Sequence, residues 1–69
     1  MEHAYLIIHI DKLTNEIKGV GIYSEWPLTK ILSDKIVDVC IFHRKAVSYV
    51  QAKNELMQEL LSFPMVQSR

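Results

Sequence analysis

The stretch VDVCIFHRKAVSYV, residues 37–50, decides the fold of this chain because two elements fit it. Its first half has the β-branched content of a buried strand. Residues 36–61 also show apolar and small side chains in alternating steps of four and three, which is typical of a packed helical seam. This spacing predicts one long C-terminal helix, and a third strand at 36–42 is the alternative.

The predicted helical seam would bind a partner subunit, and association through the sheet is the alternative. Asn54 occupies a core position of the repeat, where a polar side chain can specify register and partner number. Cys40 and His43 would lie one turn apart and pack along the seam rather than form a chemical site. The predicted oligomer interface comprises Cys40, His43, Val47, Val50, Asn54, Met57 and Leu61.

The N-terminal third of the chain predicts an antiparallel β-hairpin. The segments AYLIIHID (4–11) and KGVGIYS (18–24) resemble strands. A short polar turn joins them, and Asn15 in this turn can adopt a positive φ at low cost. Because side chains alternate across a strand, one face of the hairpin is aliphatic and is predicted to face the core, with Leu6, Ile8, Ile10, Val20 and Ile22. The other face carries Tyr5 and Tyr23 beside two glycines, which suggests either that the rings cover bare backbone or that another molecule binds there.

These segments together predict one small α+β domain at residues 1–64. Its order is ββα(α): a hairpin at 4–24, then a helical region at 25–62 with a short helix followed by a long one. The third strand at 36–42 would instead give ββαβα. Residues 65–69 are expected to form a frayed tail.

Chain length and charge point to a partner subunit. A 69-residue chain buries only about 60% of its unfolded surface, so its core is marginal. With one cysteine it cannot form an internal disulfide, which leaves association as the simplest source of stability. We therefore expect a homodimer or a higher oligomer, with two-fold symmetry the commonest arrangement.

The same features predict a cytoplasmic protein. A free thiol fits a reducing compartment, and the sequence begins MEHAY without the basic residues of a signal peptide. No apolar run is long enough to cross a membrane. Eight basic and eight acidic residues balance, so nothing steers the chain toward nucleic acid or anionic lipid.

Metal and catalytic sites are not predicted. A metal site needs three or four ligands, and the available Cys40, His43, His3 and His9 are scattered between hairpin and helix. A thiol–imidazole nucleophile would need an orienting group and a cleft. No enzyme activity and no cofactor are therefore expected.

The segment YLIIHIDKLTNEIKGVGIYSEWPLTK (5–30) resembles the opening of small, mostly uncharacterised phage and bacterial proteins. Those proteins begin with a hairpin whose second strand reads roughly eI-GVFS and then pass into a helix. The chain departs from this pattern at Gly21 and at Trp26–Pro27. The resemblance implies a hairpin-plus-helix fold and a phage-type accessory role, in the host cytoplasm if phage-encoded, and supplies no catalytic motif.

The function predicted from these features is non-catalytic protein binding. A small regulator or inhibitor of this kind would occupy the surface of another protein, with Tyr5, Tyr23 and Trp26 as anchors. Each anchor is also an ordinary core residue. One alternative is a nucleic-acid-binding regulator using HRK at 43–45. The other is a nucleotide or metabolite binder at a dimer interface lined by Tyr5, His9, Tyr23 and His43.

Overall fold

The computed structural model describes residues 1–31 and 35–62 of the chain. They form a three-stranded antiparallel sheet with one α-helix, so the predicted α+β class is confirmed. No helix in these two ranges is long and apolar enough to cross a membrane. The elements are β1 (Glu2–Asp11), β2 (Ile17–Tyr23), a 3-10 turn (Leu28–Lys30), β3 (Val37–Ala46) and α1 (Tyr49–Leu61).

The first strand lies in the middle of the sheet, in the order β2-β1-β3. Both neighbours are antiparallel to β1, with Leu6 opposite Ile22 on one side and opposite Phe42 on the other. The hairpin formed by β1 and β2 was predicted correctly. Its turn places Asn15 at a positive φ of 62°, a conformation that asparagine adopts at low cost.

The prediction of one long C-terminal helix is wrong, because residues 37–46 form the edge strand β3. The alternative with a third strand was right in type, although the strand extends beyond residue 42. The physical reason lies in β1, whose centre is buried on both faces of the sheet. Leu6 and Ile8 are buried on the helix side, and Ile7 is buried on the other side. A strand whose centre is buried on both faces needs a backbone partner on each side, and the hairpin supplies only one.

The helix begins only after this strand ends. Ser48 has an extended backbone conformation, and its hydroxyl oxygen accepts a hydrogen bond from the Gln51 N–H at 3.2 Å. This arrangement is an N-cap, which satisfies one of the unpaired donors at the start of a helix. The helix packs on β1 and β3, and Ala52 and Leu56 complete the core.

Residues 24–31 of the connection between β2 and β3 lie on the face of the sheet opposite α1, where Trp26 packs on Tyr5 and the Lys30 carbonyl accepts a hydrogen bond from His9. Both strands are antiparallel to β1, so they run parallel to each other and need a crossover. Where the short helix was predicted after the hairpin, the described residues form only the 3-10 turn at Leu28–Lys30. Residues 32–34, within the predicted helical region at 25–62, and the predicted tail at 65–69 lie outside the described residues.

Candidate functional site: an aromatic surface on the open face of the sheet

Strand pairing brings the predicted aromatic anchors together on the face of the sheet that lacks the helix. Tyr5 of β1 lies directly opposite Tyr23 of β2 and opposite His43 of β3. The three side chains therefore form a row across the sheet. Trp26 joins them from the crossover, with its ring centroid 5.4 Å from that of Tyr5. We call Tyr5, Tyr23, Trp26, His3 and His43 the aromatic surface.

The rings of this surface have geometries that stabilise aromatic pairs. Tyr5 and His43 stack with centroids 4.7 Å apart and planes 13° apart, and His43 stacks on His3 at 5.0 Å. Trp26 meets Tyr5 edge to face, at an interplanar angle of 84°. Offset-stacked and edge-to-face contacts are the arrangements that ring quadrupoles favour. The surface is therefore organised before any partner binds.

A hydrogen bond between two imidazoles holds one end of the row. His3 Nδ1 lies 2.8 Å from His43 Nε2, and both side chains are exposed. One ring must be neutral at the accepting nitrogen, because an imidazolium has only donors. The bond therefore joins a donor nitrogen of one ring to an acceptor nitrogen of the other.

A shallow hollow lies beside the row. Its volume is about 290 Å³. Trp26 remains 53% exposed, while Tyr5 and Tyr23 are half-buried. Glu25 and Lys30 place one negative and one positive side chain in its wall. The lining residues are Tyr23, Ser24, Glu25, Trp26, Pro27, Thr29 and Lys30.

The crossover that carries Trp26 is held to the sheet at a second point. His9 Nε2 lies 3.0 Å from the carbonyl oxygen of Lys30, so the imidazole donates to the main chain there. Tyr23 folds back over Gly21, where an added Cβ would meet its ring carbons at 2.7 Å. The prediction that a tyrosine ring covers bare glycine backbone is thus confirmed at Gly21. At Gly19 nothing lies within 4 Å of an added Cβ.

Cys40 and His43 do not form a joint site. They are three residues apart in a strand, so their side chains lie on opposite faces. Cys40 pairs with Ile8 and packs against the core, whereas His43 pairs with Tyr5 on the open face. Burial raises the pKa of the Cys40 thiol, and the Asp38 carboxylate raises it further. The thiol is therefore a poor nucleophile at neutral pH.

The predicted seven-residue seam is not one surface. Cys40 and His43 belong to β3, and Val47 precedes the helix. Only Val50, Asn54, Met57 and Leu61 lie on α1, and all four are exposed. The steps of four and three that suggested a seam run across a strand, a turn and a helix, which share no common periodicity.

The basic cluster HRK is also divided by the strand. His43 and Lys45 point to the open face, whereas Arg44 points to the helix side and forms ion pairs with Glu55 and Glu59. Its fixed positive charge is therefore already matched. Among the described residues, no group of three or more His, Cys, Asp or Glu side chains could hold a metal ion.

The stack involving His3 was not predicted. The alternation of His3 with Tyr5 was visible in the sequence, but the position of His43 depended on recognising β3. Comparisons with protein-family models, curated proteins and solved structures gave no match. The resemblance to small phage and bacterial proteins therefore remains a prediction.

Proposed function

We propose that this chain is a non-catalytic protein-binding module that acts as a regulator or inhibitor by occupying the surface of a partner protein. The observation that carries the proposal is the convergence of Tyr5, Tyr23 and Trp26 on one face, with more than half of the Trp26 side chain exposed. Tyrosine and tryptophan dominate binding hot spots because they supply large, rigid contact area at low entropic cost.

The dimensions of the hollow favour a side chain of a protein over a large cofactor. Small-molecule sites usually enclose about 300–1,000 Å³ and surround the ligand. The hollow beside Trp26 reaches only about 290 Å³ and is open to solvent. One apolar or basic side chain of a partner would fit against Trp26 and Pro27, with Glu25 available to a positive charge.

Self-association is the second part of this proposal. So small a chain gains stability when it buries apolar surface against another copy, and a two-fold dimer closes the assembly. The exposed apolar side chains support this idea, since Val20, Val50 and Met57 lie on the surface. The dimer would present two aromatic surfaces to partners and gain avidity from them.

The test uses matched variants in affinity capture. Trp26→Ala should lose the captured partner, and Tyr5→Ala should weaken its binding by at least about tenfold, as expected for hot-spot truncation. Leu28→Ala is the control, because Leu28 is 71% exposed, lies two residues from Trp26 and does not line the hollow. If every captured protein binds all three variants equally, the aromatic surface is not the binding site.

A small-ligand site is the second candidate function, favoured by the same hollow. A nucleotide or metabolite that binds only the folded chain would raise its melting temperature. A thermal-shift screen should then give a shift that Trp26→Ala removes and Leu28→Ala retains. A shift retained by both variants would place the ligand elsewhere.

A further inference from the structure

The outer edge of β2 lacks the features that usually protect an edge strand. Among the described residues, no strand pairs with this edge. Natural proteins shield such edges with charges, prolines or a covering element. β2 reads IKGVGIY and contains one charged residue, Lys18. β3, the other edge, contains Asp38, Arg44 and Lys45 and lies under the helix.

The helix side of β2 adds an uncovered apolar surface. Ile17, Val20 and Ile22 pair with inward-facing residues of β1, so they lie on the same side of the sheet as the core. The helix packs on β1 and β3 and leaves Val20 45% exposed. A valine that pairs with the buried Ile8 of β1 is thus open to solvent.

One flank of α1 borders this surface. Arg44 on β3 pairs with Glu55 and Glu59, which fixes the flank of the helix that points toward β3. At 100° per residue, Val50 and Met57 fall on the other flank, which points toward β2. Both are exposed, and so is Leu61 on the same stripe. We call Val20, Ile22, Val50, Met57 and Leu61 the β2-side surface.

We propose that the β2-side surface binds a second copy of this chain, with the β2 strands of the two copies paired antiparallel about a two-fold axis. This inference rests on the self-association in the proposed function and assigns a site to it. The two sheets would become one six-stranded sheet, and the two helix flanks would cover the valines beside its centre.

The charges around β2 favour binding of a second copy of this chain. Lys18 lies near the start of the strand, and Glu25 follows its end by two residues. Lys18 lies 3.8 Å from Asp11, a residue of the open face, and Glu25 lines the hollow on that face. Antiparallel pairing about a two-fold axis brings Lys18 of each copy near Glu25 of the other and separates the two lysines. The edge is therefore self-complementary.

The available area matches a weak specific dimer. A seven-residue strand gives an edge of about 24 Å at about 3.4 Å per residue. The sheet and helix layers together are about 20 Å high with their side chains. The two copies would then bury roughly 1,000 Å², the lower limit for a biological interface. Since the charged β3 edge resists pairing, assembly should stop at the dimer rather than grow into fibres.

Sedimentation equilibrium from low to high micromolar concentration tests this inference. The native chain should approach twice its 8.0 kDa mass. Val20→Lys places an ammonium of each copy in the apolar interface beside the two-fold axis and should weaken the dimer by at least about tenfold. Val47→Lys is the matched control, because Val47 is 78% exposed and lies outside the β2-side surface. It should leave the dimer intact.

A charge exchange provides the second variant, independent of Val20 and of any effect it has on folding. Lys18→Glu should weaken the dimer, and adding Glu25→Lys should restore it, since the pair of opposite charges is re-formed. A dimer that survives both Val20→Lys and Lys18→Glu would overturn the β2-side site and leave self-association standing. A chain that stays monomeric at high micromolar concentration would overturn both the β2-side site and self-association. Partner binding through Trp26 would remain testable by affinity capture with the Trp26→Ala and Leu28→Ala variants.

Discussion

The two edge strands of the sheet differ although both pair with β1. β3 lies under α1, places Arg44 between Glu55 and Glu59 and carries three charged residues. β2 has two glycines and one charge, and its Val20 is exposed. The difference indicates that folding stability is concentrated on the β3 side, while the β2 side retains apolar surface for association. Substitutions on the two sides should separate these roles.

The largest effect is expected under the helix, on the β3 side. Leu56→Ala removes a fully buried side chain that joins α1 to the sheet. It should lower the free energy of unfolding by about 2–5 kcal/mol, the usual cost of a leucine truncated in a core. Val20→Ala on the half-open β2 side should cost about 1 kcal/mol or less. Urea unfolding at one protein concentration measures both, and equal losses would contradict the comparison.

The ion pairs of Arg44 should contribute less. Arg44→Met keeps the aliphatic stem but removes the charge shared with Glu55 and Glu59. Because these side chains are more than a third exposed, we expect a loss of about 0.5–1 kcal/mol that shrinks as salt screens the charges. Lys45→Met, a neighbouring charge on the open face, is the control. A loss unaffected by added salt would mean that packing, not charge, accounts for it.

The two glycines of β2 should respond differently to a methyl group. At Gly19 an added Cβ meets nothing within 4 Å and φ is not positive, so Gly19→Ala should stabilise the fold by about 0.4–1 kcal/mol through the unfolded state. At Gly21 the same methyl group meets the Tyr23 ring, which must move. Gly21→Ala should therefore stabilise the fold less than Gly19→Ala does, and it should shift the NMR resonances of the Tyr23 and Trp26 rings. Identical melting temperatures for Gly19→Ala and Gly21→Ala, with Tyr23 and Trp26 resonances unchanged in Gly21→Ala, would contradict this expectation.

The smallest effect should come from the turn that joins β2 to β1. The Asp11 carboxylate accepts hydrogen bonds from the Leu13 N–H at 2.8 Å and the Thr14 N–H at 3.1 Å. These bonds, and to a lesser degree the charge of Lys18, hold the pKa of Asp11 below its usual value. The ionised carboxylate therefore favours the folded chain above the unfolded-state pKa, and this stability disappears as pH falls through the lower native pKa.

Asp11→Asn should accordingly lower the free energy of unfolding at neutral pH. In acid the stabilities of the variant and the native chain should become equal. Unfolding curves over a pH series measure the difference. Because backbone hydrogen bonds rather than Lys18 are the main cause, most of the difference should persist in high salt. A difference that stays constant down to the lowest pH would show that the charge of Asp11 has no role.

Local patterns in the sequence were enough to predict the hairpin. Alternation assigned Leu6, Ile8 and Ile10 to the core face and Tyr5 with Tyr23 to the other, and the structure has them there. The three aromatic anchors were also selected from the sequence, although their contact was not. Residues 36–46 were assigned to the wrong element, because Ile36, Cys40 and His43 fit a helical repeat as well as a strand.

The sequence by itself determined the elements whose signals are local: the alternation of β1 and β2 and the turn at Asn15. Only the tertiary structure decided that residues 37–46 form a strand, because the centre of β1 is buried on both faces and needs a backbone partner on each side. The same pairing places His43 beside Tyr5, and the crossover it requires brings Trp26 onto that row. Contacts between residues far apart in sequence depend on sheet order, which no local pattern specifies.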